Sequence, residues 1–223
     1  MPKESCEAVF VFTDAPRIYG DDLNRDGAPP VFVKEIGDLL DMLKTADAAG
    51  LVLETPKVMS LPRKERDRLF KYAGRFPTLR TRPSPRKDFA VYLDPRDCFF
   101  NNLDIMAGER CRSHRRIAAS LECSFSMETD PSLAEPKDGT VLDISPGGCF
   151  VAAPSFFPDE HFVNLRIPKL GSGRPIFCSV RWVRKVADAA GKTGMGLMFI
   201  DIQESQLRDI DVLQMEAGVQ KDA

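Results

Sequence analysis

The spacing of apolar residues changes in the middle of this chain, close to Arg110. Upstream, continuous apolar runs alternate with segments in which apolar residues recur at helical spacing. Downstream, Leu121, Cys123, Phe125 and Met127 alternate with polar residues, which is the period-two pattern of a half-buried antiparallel strand. A single core usually takes about 100–150 residues, so a chain of 223 residues suits two small domains. The sequence therefore predicts two domains of different class.

The first half predicts a small open α/β domain. Its first apolar run, residues 8–14, suits a buried strand, and apolar residues then recur at helical spacing over 36–46. Gly50 precedes a second predicted strand at 51–54. A second helix is predicted to begin after Ser60, which caps it, with Pro62 in its first turn. Two short strands are predicted at 78–82 and 89–93.

The order of these elements loosely resembles a truncated response-regulator receiver domain. A receiver needs an acidic cluster after its first strand and a phosphoacceptor aspartate after a central strand. Asp14 is the only acid near the first of these positions, and Glu54 stands where the acceptor would be. Because glutamate is not the usual acceptor, we do not expect phosphotransfer.

The second half predicts a small closed or nearly closed barrel of six short antiparallel strands. Turn residues separate its apolar runs, in the segments PKDG, SPGG, KLGSG and DAAGK. After the last strand, Ile202, Leu207, Ile210 and Leu213 recur at the spacing of an amphipathic helix. We expect this helix to cover one opening of the barrel or to bind a partner.

An arginine cluster lies just ahead of the first barrel strand. Arg110, Arg112, Arg115 and Arg116 fall within seven residues. Clustered guanidinium groups repel one another, so a cluster of this kind indicates a polyanion or an acidic partner that neutralises it. Guanidinium groups bind phosphate oxygens through paired hydrogen bonds and lie flat on purine rings.

A polar turn at residues 143–148 links two of the barrel strands. The carboxylate of Asp143 can accept hydrogen bonds from the N1 and N2 donors of guanine, and Ser145 adds a hydroxyl. Gly147 and Gly148 allow the backbone and a ligand to approach closely. Together with the arginine cluster, this turn predicts a site that binds both phosphates and bases.

The two segments resemble the paired motifs of the PilZ family of bacterial cyclic di-GMP receptors. Residues 112–116 match the RxxxR motif of that family, and residues 143–148 match its (D/N)xSxxG motif. The order of the motifs and their positions relative to the strands agree as well, and the segment GMGLMFID resembles the closing strand of the family. The resemblance spans roughly residues 108–215.

The resemblance implies a role for each motif residue. Arg112 and Arg116 would hold phosphates and stack on the guanine faces of cyclic di-GMP, bound as a monomer or as an intercalated dimer. Asp143 and Ser145 would bind a guanine edge and a neighbouring phosphate, and Gly148 would keep the turn tight. Three further residues are candidates for ligand binding: Arg110, Arg115 and Gly147.

We therefore expect a two-domain α+β chain, with a small open α/β domain followed by a six-stranded antiparallel PilZ β-barrel and a C-terminal helix. The expected limits are 1–93 for the receiver-like domain, 94–109 for a linker or hinge, 110–215 for the barrel domain and 216–223 for a flexible tail. In the PilZ family the arginine segment is a flexible arm that wraps the ligand. Binding would then move the first domain relative to the barrel.

The sequence offers no candidate for catalysis, a metal or a cofactor. Its six cysteines are scattered singly and only two histidines are present, so we expect reduced, mostly buried thiols rather than a zinc site. No secretory signal and no apolar stretch of membrane-spanning length is visible, which predicts a cytoplasmic protein without membrane insertion. Trp182 alternates with Val180 and Cys178 and is expected to lie in the core.

Three functions remain open at this point. The first is a non-enzymatic cyclic di-GMP receptor, a monomer or homodimer that acts on a protein partner through its first domain to regulate motility, exopolysaccharide or biofilm behaviour. The second is a ligand-independent PilZ adaptor. The third is nucleic-acid binding, because residues 63–87 carry ten basic and two acidic side chains. The pI near 5.8 and the Asp143–Ser145 turn disfavour nucleic acid.

Overall fold

The computed structural model describes residues 8–24, 30–45, 48–103, 105, 113–157, 161–185 and 193–219. The chain divides into two compact units, Met1–Ser113 and His114–Ala223. Each unit has its own apolar core. Within the described ranges, no helix combines the length and the apolar character needed to cross a membrane.

The first unit is an α/β layer built on a five-stranded sheet. Its strands are β1 (Ala8–Phe12), β2 (Pro30–Val33), β3 (Ala48–Glu54), β4 (Thr78–Pro83) and β5 (Ala90–Tyr92), and its helices are α1 (Ile36–Thr45), α2 (Thr55–Ser60), α3 (Arg63–Ala73) and α4 (Arg96–Leu103), with a 3-10 turn at Pro16–Tyr19. The strand order is β2-β1-β3-β4-β5. All neighbouring pairs are parallel except β4 and β5, which are antiparallel.

Burial in the first unit follows the apolar pattern of the sequence. The predicted stripe of α1 is buried at Leu39, Leu40 and Leu43, and each such side chain contributes about 1.5–3 kcal/mol on burial. Gly50 in β3 packs closely against α4, since a Cβ there would lie 2.6 Å from Leu103 Cδ2. This sheet and its helices confirm the expected α/β class. The likeness to a receiver domain stays a prediction.

Several details of the first unit differ from the sequence expectations. β2 lies between the first predicted strand and the first predicted helix, where no strand was predicted, at the edge of the sheet and beside β1. Ser60 does not cap α3: its hydroxyl donates to the carbonyl of Lys57, and Pro62 is the N-cap residue. Helix α4 falls inside the expected linker, and its Phe99 and Leu103 belong to the core of the first unit.

The second unit is a closed antiparallel barrel followed by a helix. Its strands are β6 (Ile117–Met127), β7 (Lys137–Ser145), β8 (Gly148–Ala153), β9 (Phe162–Arg166), β10 (Ile176–Lys185) and β11 (Thr193–Asp201), and its helix is α5 (Glu204–Val219). The order around the barrel is β10-β11-β8-β7-β6-β9. The six strands and the C-terminal helix confirm the predicted architecture. Helix α5 runs through residues 216–219, where a tail was expected.

The barrel interior is filled with apolar side chains from every strand. Phe125, Val141, Leu165 and Phe199 are fully buried in it, and Ile210 of α5 packs into the same core. Leu207 and Leu213 of α5 pack against that core, as their helical spacing predicted. A filled interior leaves ligands to bind on the outside of the barrel, at its strand ends and turns.

Three described cysteines, Cys123, Cys149 and Cys178, are free thiols in the barrel core. Burial raises the pKa of Cys123 to about 12 and raises the pKa of Cys149 well above its usual value. Protonated, enclosed thiols of this kind are poor nucleophiles. Cys6 and Cys111 lie outside the described residues.

Candidate functional site

The two sequence motifs meet at the start of β6. Arg116 directly precedes Ile117, and its Nη1 donates to Oδ1 of Asp143 on β7 at 3.0 Å. The two residues are brought together because β6 and β7 pair with Ile117 opposite Ile144 and Ala118 opposite Asp143. The side chains of Arg116 and Asp143 are 31% and 32% exposed, so a ligand can reach both.

The Arg116–Asp143 ion pair places opposite charges within reach of a nucleotide. Arg116 offers guanidinium donors for phosphate oxygens, and Asp143 offers acceptors for the N–H groups of a base. An ion pair that is about one third exposed to solvent is worth only about 0–1 kcal/mol. The ion pair therefore positions both side chains. A ligand that takes the place of one partner loses little binding free energy by breaking it.

The second motif forms a tight hairpin between β7 and β8. Ser145 pairs with Gly148, and the hydroxyl of Ser145 donates to the carbonyl of Gly148 at 3.2 Å. Ser145 is only 3% exposed. Its hydroxyl thus serves the turn itself, and contact with a ligand stays a prediction for this residue.

Both glycines of the motif lie against neighbouring groups. A Cβ at Gly148 would stand 2.1 Å from the carbonyl oxygen of Leu197, so the approach of β11 excludes any side chain there. A Cβ at Gly147 would stand 3.0 Å from the ring of His114. The carbonyl of Gly147 accepts a hydrogen bond from the backbone N–H of Phe199 at 3.1 Å. The role of both glycines in a ligand site stays a prediction.

The described part of the arginine arm contacts three different elements. His114 lies against the hairpin at Gly147, and Arg116 pairs with Asp143. The carbonyl of Arg115 accepts a hydrogen bond from Nε2 of Gln214 on α5 at 2.6 Å, while its side chain is exposed.

Arg110 and Arg112 lie outside the described residues, so their roles stay predictions.

Trp182 corrects one expectation, since it lies outside the barrel and is 38% exposed. The register of β10 against β11 shifts between Val180 and Trp182, where Val180 pairs with Leu197 and Trp182 with Gly196. Such a bulge inserts one residue and reverses the face of every later side chain. The alternation that placed Trp182 in the core is broken at this bulge. The sequence feature that could have indicated an outward tryptophan was the pair of glycines in the facing strand β11, Gly194 and Gly196, which leave room for a large ring.

In the first unit, the carboxyl ends of the parallel strands carry a buried polar cluster. Thr13 donates to the carboxylate of Glu54, and the hydroxyls of Tyr19 and Thr81 lie 2.8 Å apart. All four side chains are less than 7% exposed. Lys57 pairs with Asp14 beside them. Glu54 is thus enclosed and hydrogen-bonded, as a structural carboxylate would be.

The basic stretch at 63–87 is not a uniform cationic surface. Arg66 and Arg80 are each 6% exposed, and Arg80 forms a buried ion pair with Asp94, with Nη2 and Oδ1 2.5 Å apart. These two arginines serve the fold of the first unit. Among the described residues, no group of three or more potential metal ligands lies together.

The second unit is a small closed antiparallel β-barrel with an arginine at its first strand beside a serine–glycine hairpin. Residues 110–214 match the family model described as PilZ domain. The chain therefore contains a PilZ domain over these residues, and no catalytic family is indicated.

Several solved structures are similar to the chain. The inhibitor of motility MotI/DgrA from Bacillus subtilis shares 17% identity at a TM-score of 0.41, over 65% of this chain and 67% of that one. The PilZ domain of YcgR from Escherichia coli, solved with c-di-GMP, shares 13% at 0.36, over 49% and 93%. The MrkH–c-di-GMP complex of K. pneumonia shares 14% at 0.39, over 50% and 53%. No protein with a curated description matches the sequence.

Proposed function

We propose that this protein is a cyclic di-GMP receptor that converts ligand binding into a change in its interaction with a protein partner. The observation that carries the proposal is the Arg116–Asp143 pair: the two motifs, 27 residues apart in the chain, meet at one accessible edge of the PilZ domain. Arg116, together with Arg112, Arg110 and Arg115, would bind the phosphates and stack on guanine.

Asp143 is the residue that gives the proposed site its preference for guanine. Its carboxylate would accept the N1 and N2 hydrogens of the base, which adenine does not offer in that arrangement. Ser145, Gly147 and Gly148 would hold the turn that presents Asp143. Binding would move the arginine arm and thereby alter the surface that the first unit offers to a partner. Motility, exopolysaccharide or biofilm behaviour is the proposed output.

Equilibrium dialysis against cyclic di-GMP, cyclic di-AMP and GTP tests this assignment. We expect only cyclic di-GMP to be retained by the intact protein. The Asp143→Ala variant should lose at least tenfold in affinity, in line with the loss of a charge-assisted pair of hydrogen bonds worth about 1.5–3 kcal/mol. Asp138→Ala, an exposed carboxylate on the same strand, is the matched control and should bind normally. Equal retention of GTP would contradict the proposal, and failure to retain any nucleotide would favour the ligand-independent adaptor.

A further inference from the structure

Helix α3 of the first unit carries cations on the face opposite to the one that packs. Its buried residues lie together on one face: Arg66, Leu69, Phe70 and Ala73. Lys64, Arg68 and Lys71 are exposed and follow one another at intervals of four and three residues, which places them in a line on the opposite face. We call Lys64, Arg68 and Lys71 the cationic stripe. It runs for about 10 Å along the helix.

Helix α1 adds a further cation beside the cationic stripe. The two helices pack side by side. Lys44, in the last turn of α1, is exposed and pairs with Asp41 at 2.6 Å. Lys44 and, to a smaller extent, Arg68 hold the pKa of Asp41 below its usual value. Cations from both helices thus act on the same carboxylate, whose single charge cannot balance theirs.

The cationic stripe does not stabilise the helix that carries it. Like charges three and four residues apart on one helix face repel one another. Lys64 also lies in the first turn of α3, where the helix dipole favours a negative charge. The two acids of the helix, Glu65 and Asp67, lie on its flanks and are half-buried. Because the arrangement opposes helix stability, it indicates a role in recognition.

The surroundings of the stripe fit an acidic helix better than a nucleic acid. A helix that lies alongside α3 can present carboxylates at the same intervals of four and three residues. Tyr72 is half-buried next to the stripe, with the guanidinium carbon of Arg75 5.5 Å from its ring centre, and offers an apolar contact to such a helix. A phosphate backbone requires a basic surface from which acids are kept away. Glu65 and Asp67 on the flanks do not meet that requirement.

We propose that the cationic stripe, with Lys44 beside it, is the surface by which the first unit binds its partner, and that the partner presents an acidic amphipathic helix. This inference rests on the proposed function, since it names the surface and the partner chemistry of the output step. Salt screens the attraction between exposed charges, so the interaction should weaken steeply as ionic strength rises.

Fluorescence anisotropy with a labelled synthetic peptide tests this inference on the full-length chain. The peptide has about 20 residues, enough to form a helix alone, with glutamates at intervals of four and three along one face. A peptide of the same composition in scrambled order is its control. We expect the ordered peptide to bind at least tenfold more tightly than the scrambled one.

Charge reversal on the stripe locates the binding surface. Arg68→Glu combined with Lys71→Glu should weaken binding of the ordered peptide tenfold or more, because like charges then face each other. Arg86→Glu combined with Lys87→Glu changes the net charge equally at exposed positions in the turn between β4 and β5, and should leave the affinity unchanged. Melting temperatures identify a misfolded variant. Arg68→Gln combined with Lys71→Gln, which should also weaken binding, then replaces the reversal.

Calorimetric titration of the same proteins with cyclic di-GMP separates this inference from the proposed function. The reversal on the stripe should leave nucleotide affinity unchanged. Equal binding of the ordered and scrambled peptides, or unchanged peptide affinity after the reversal, would overturn the inference while nucleotide binding still supports the receptor. Tighter binding of a labelled DNA duplex than of the ordered peptide would overturn it in favour of nucleic acid. Selective peptide binding by a chain that does not bind cyclic di-GMP would support the surface and contradict the receptor function.

Discussion

Arg116 and Asp143 illustrate what short motifs reveal at the scale of single residues. Their types and spacing were readable because the resemblance to RxxxR and (D/N)xSxxG depends on local sequence alone. Their side chains pair at 3.0 Å because of the register of β6 and β7, and a local sequence pattern cannot predict that register. Ser145 shows the same limit, since its type was readable but its burial in the turn was not.

Gly148 gives a residue-scale prediction. A Cβ there would stand 2.1 Å from the carbonyl of Leu197, whereas Gly173 has no heavy atom within 4 Å of the same position. Gly148→Ala should therefore lower the free energy of unfolding by about 1–3 kcal/mol, since overpacking forces strand β8 away from β11. Gly173→Ala should leave it nearly unchanged. Urea denaturation of both variants measures the difference, and equal stability would show that the hairpin does not lie against β11 as described.

At the scale of elements, the patterns predicted most strands and helices where apolar periodicity was regular. α1, β3, the barrel strands and α5 followed from it. The failures share a physical cause, namely local geometry that interrupts the period. The bulge before Trp182 reversed its face, and the short strand β2 follows directly after a segment rich in Gly, Pro and Asp. Helix α4 was expected to be a linker, although its Phe99 and Leu103 lie in the core and Phe100 packs against it.

Helix α5 carries an element-scale prediction about the arginine arm. Gln214 donates to the carbonyl of Arg115 at 2.6 Å and so fixes the backbone next to Arg116. Without this bond the arm must be ordered during binding, which costs affinity. A neutral hydrogen bond is worth about 0.5–1.5 kcal/mol, so Gln214→Ala should weaken cyclic di-GMP binding about two- to tenfold without lowering the melting temperature.

Gln206 on the same helix is a matched control for this prediction. It also donates a side-chain amide to a backbone carbonyl, that of Arg174 at 2.9 Å, but it lies away from the arm and is 3% exposed. Gln206→Ala should lower the melting temperature and leave the affinity unchanged. If Gln214→Ala instead binds as tightly as the parent protein, α5 does not hold the arm in a binding-competent position.

At the scale of the whole molecule, the change of periodicity near Arg110 correctly indicated two compact units of different class. This division was readable because a helical period and a period of two cannot serve the same element. The sequence did not identify a partner for the first unit. The basic stretch at 63–87 mixes exposed cations with the buried structural residues Arg66 and Arg80, so its charge alone does not define a binding surface. The precise domain limits and the role of the first unit stay predictions.

The central claim is that the full chain binds cyclic di-GMP through the edge formed by Arg116 and Asp143. Calorimetric titration of the intact protein tests it most directly, beside Arg116→Ala and the control Arg208→Ala, an exposed arginine of α5 paired only within its helix to Glu204. We predict saturable binding by the intact protein and by Arg208→Ala, and a loss of at least tenfold in Arg116→Ala. Equal affinity of Arg116→Ala and the intact protein, or no heat of binding from either, would contradict the claim.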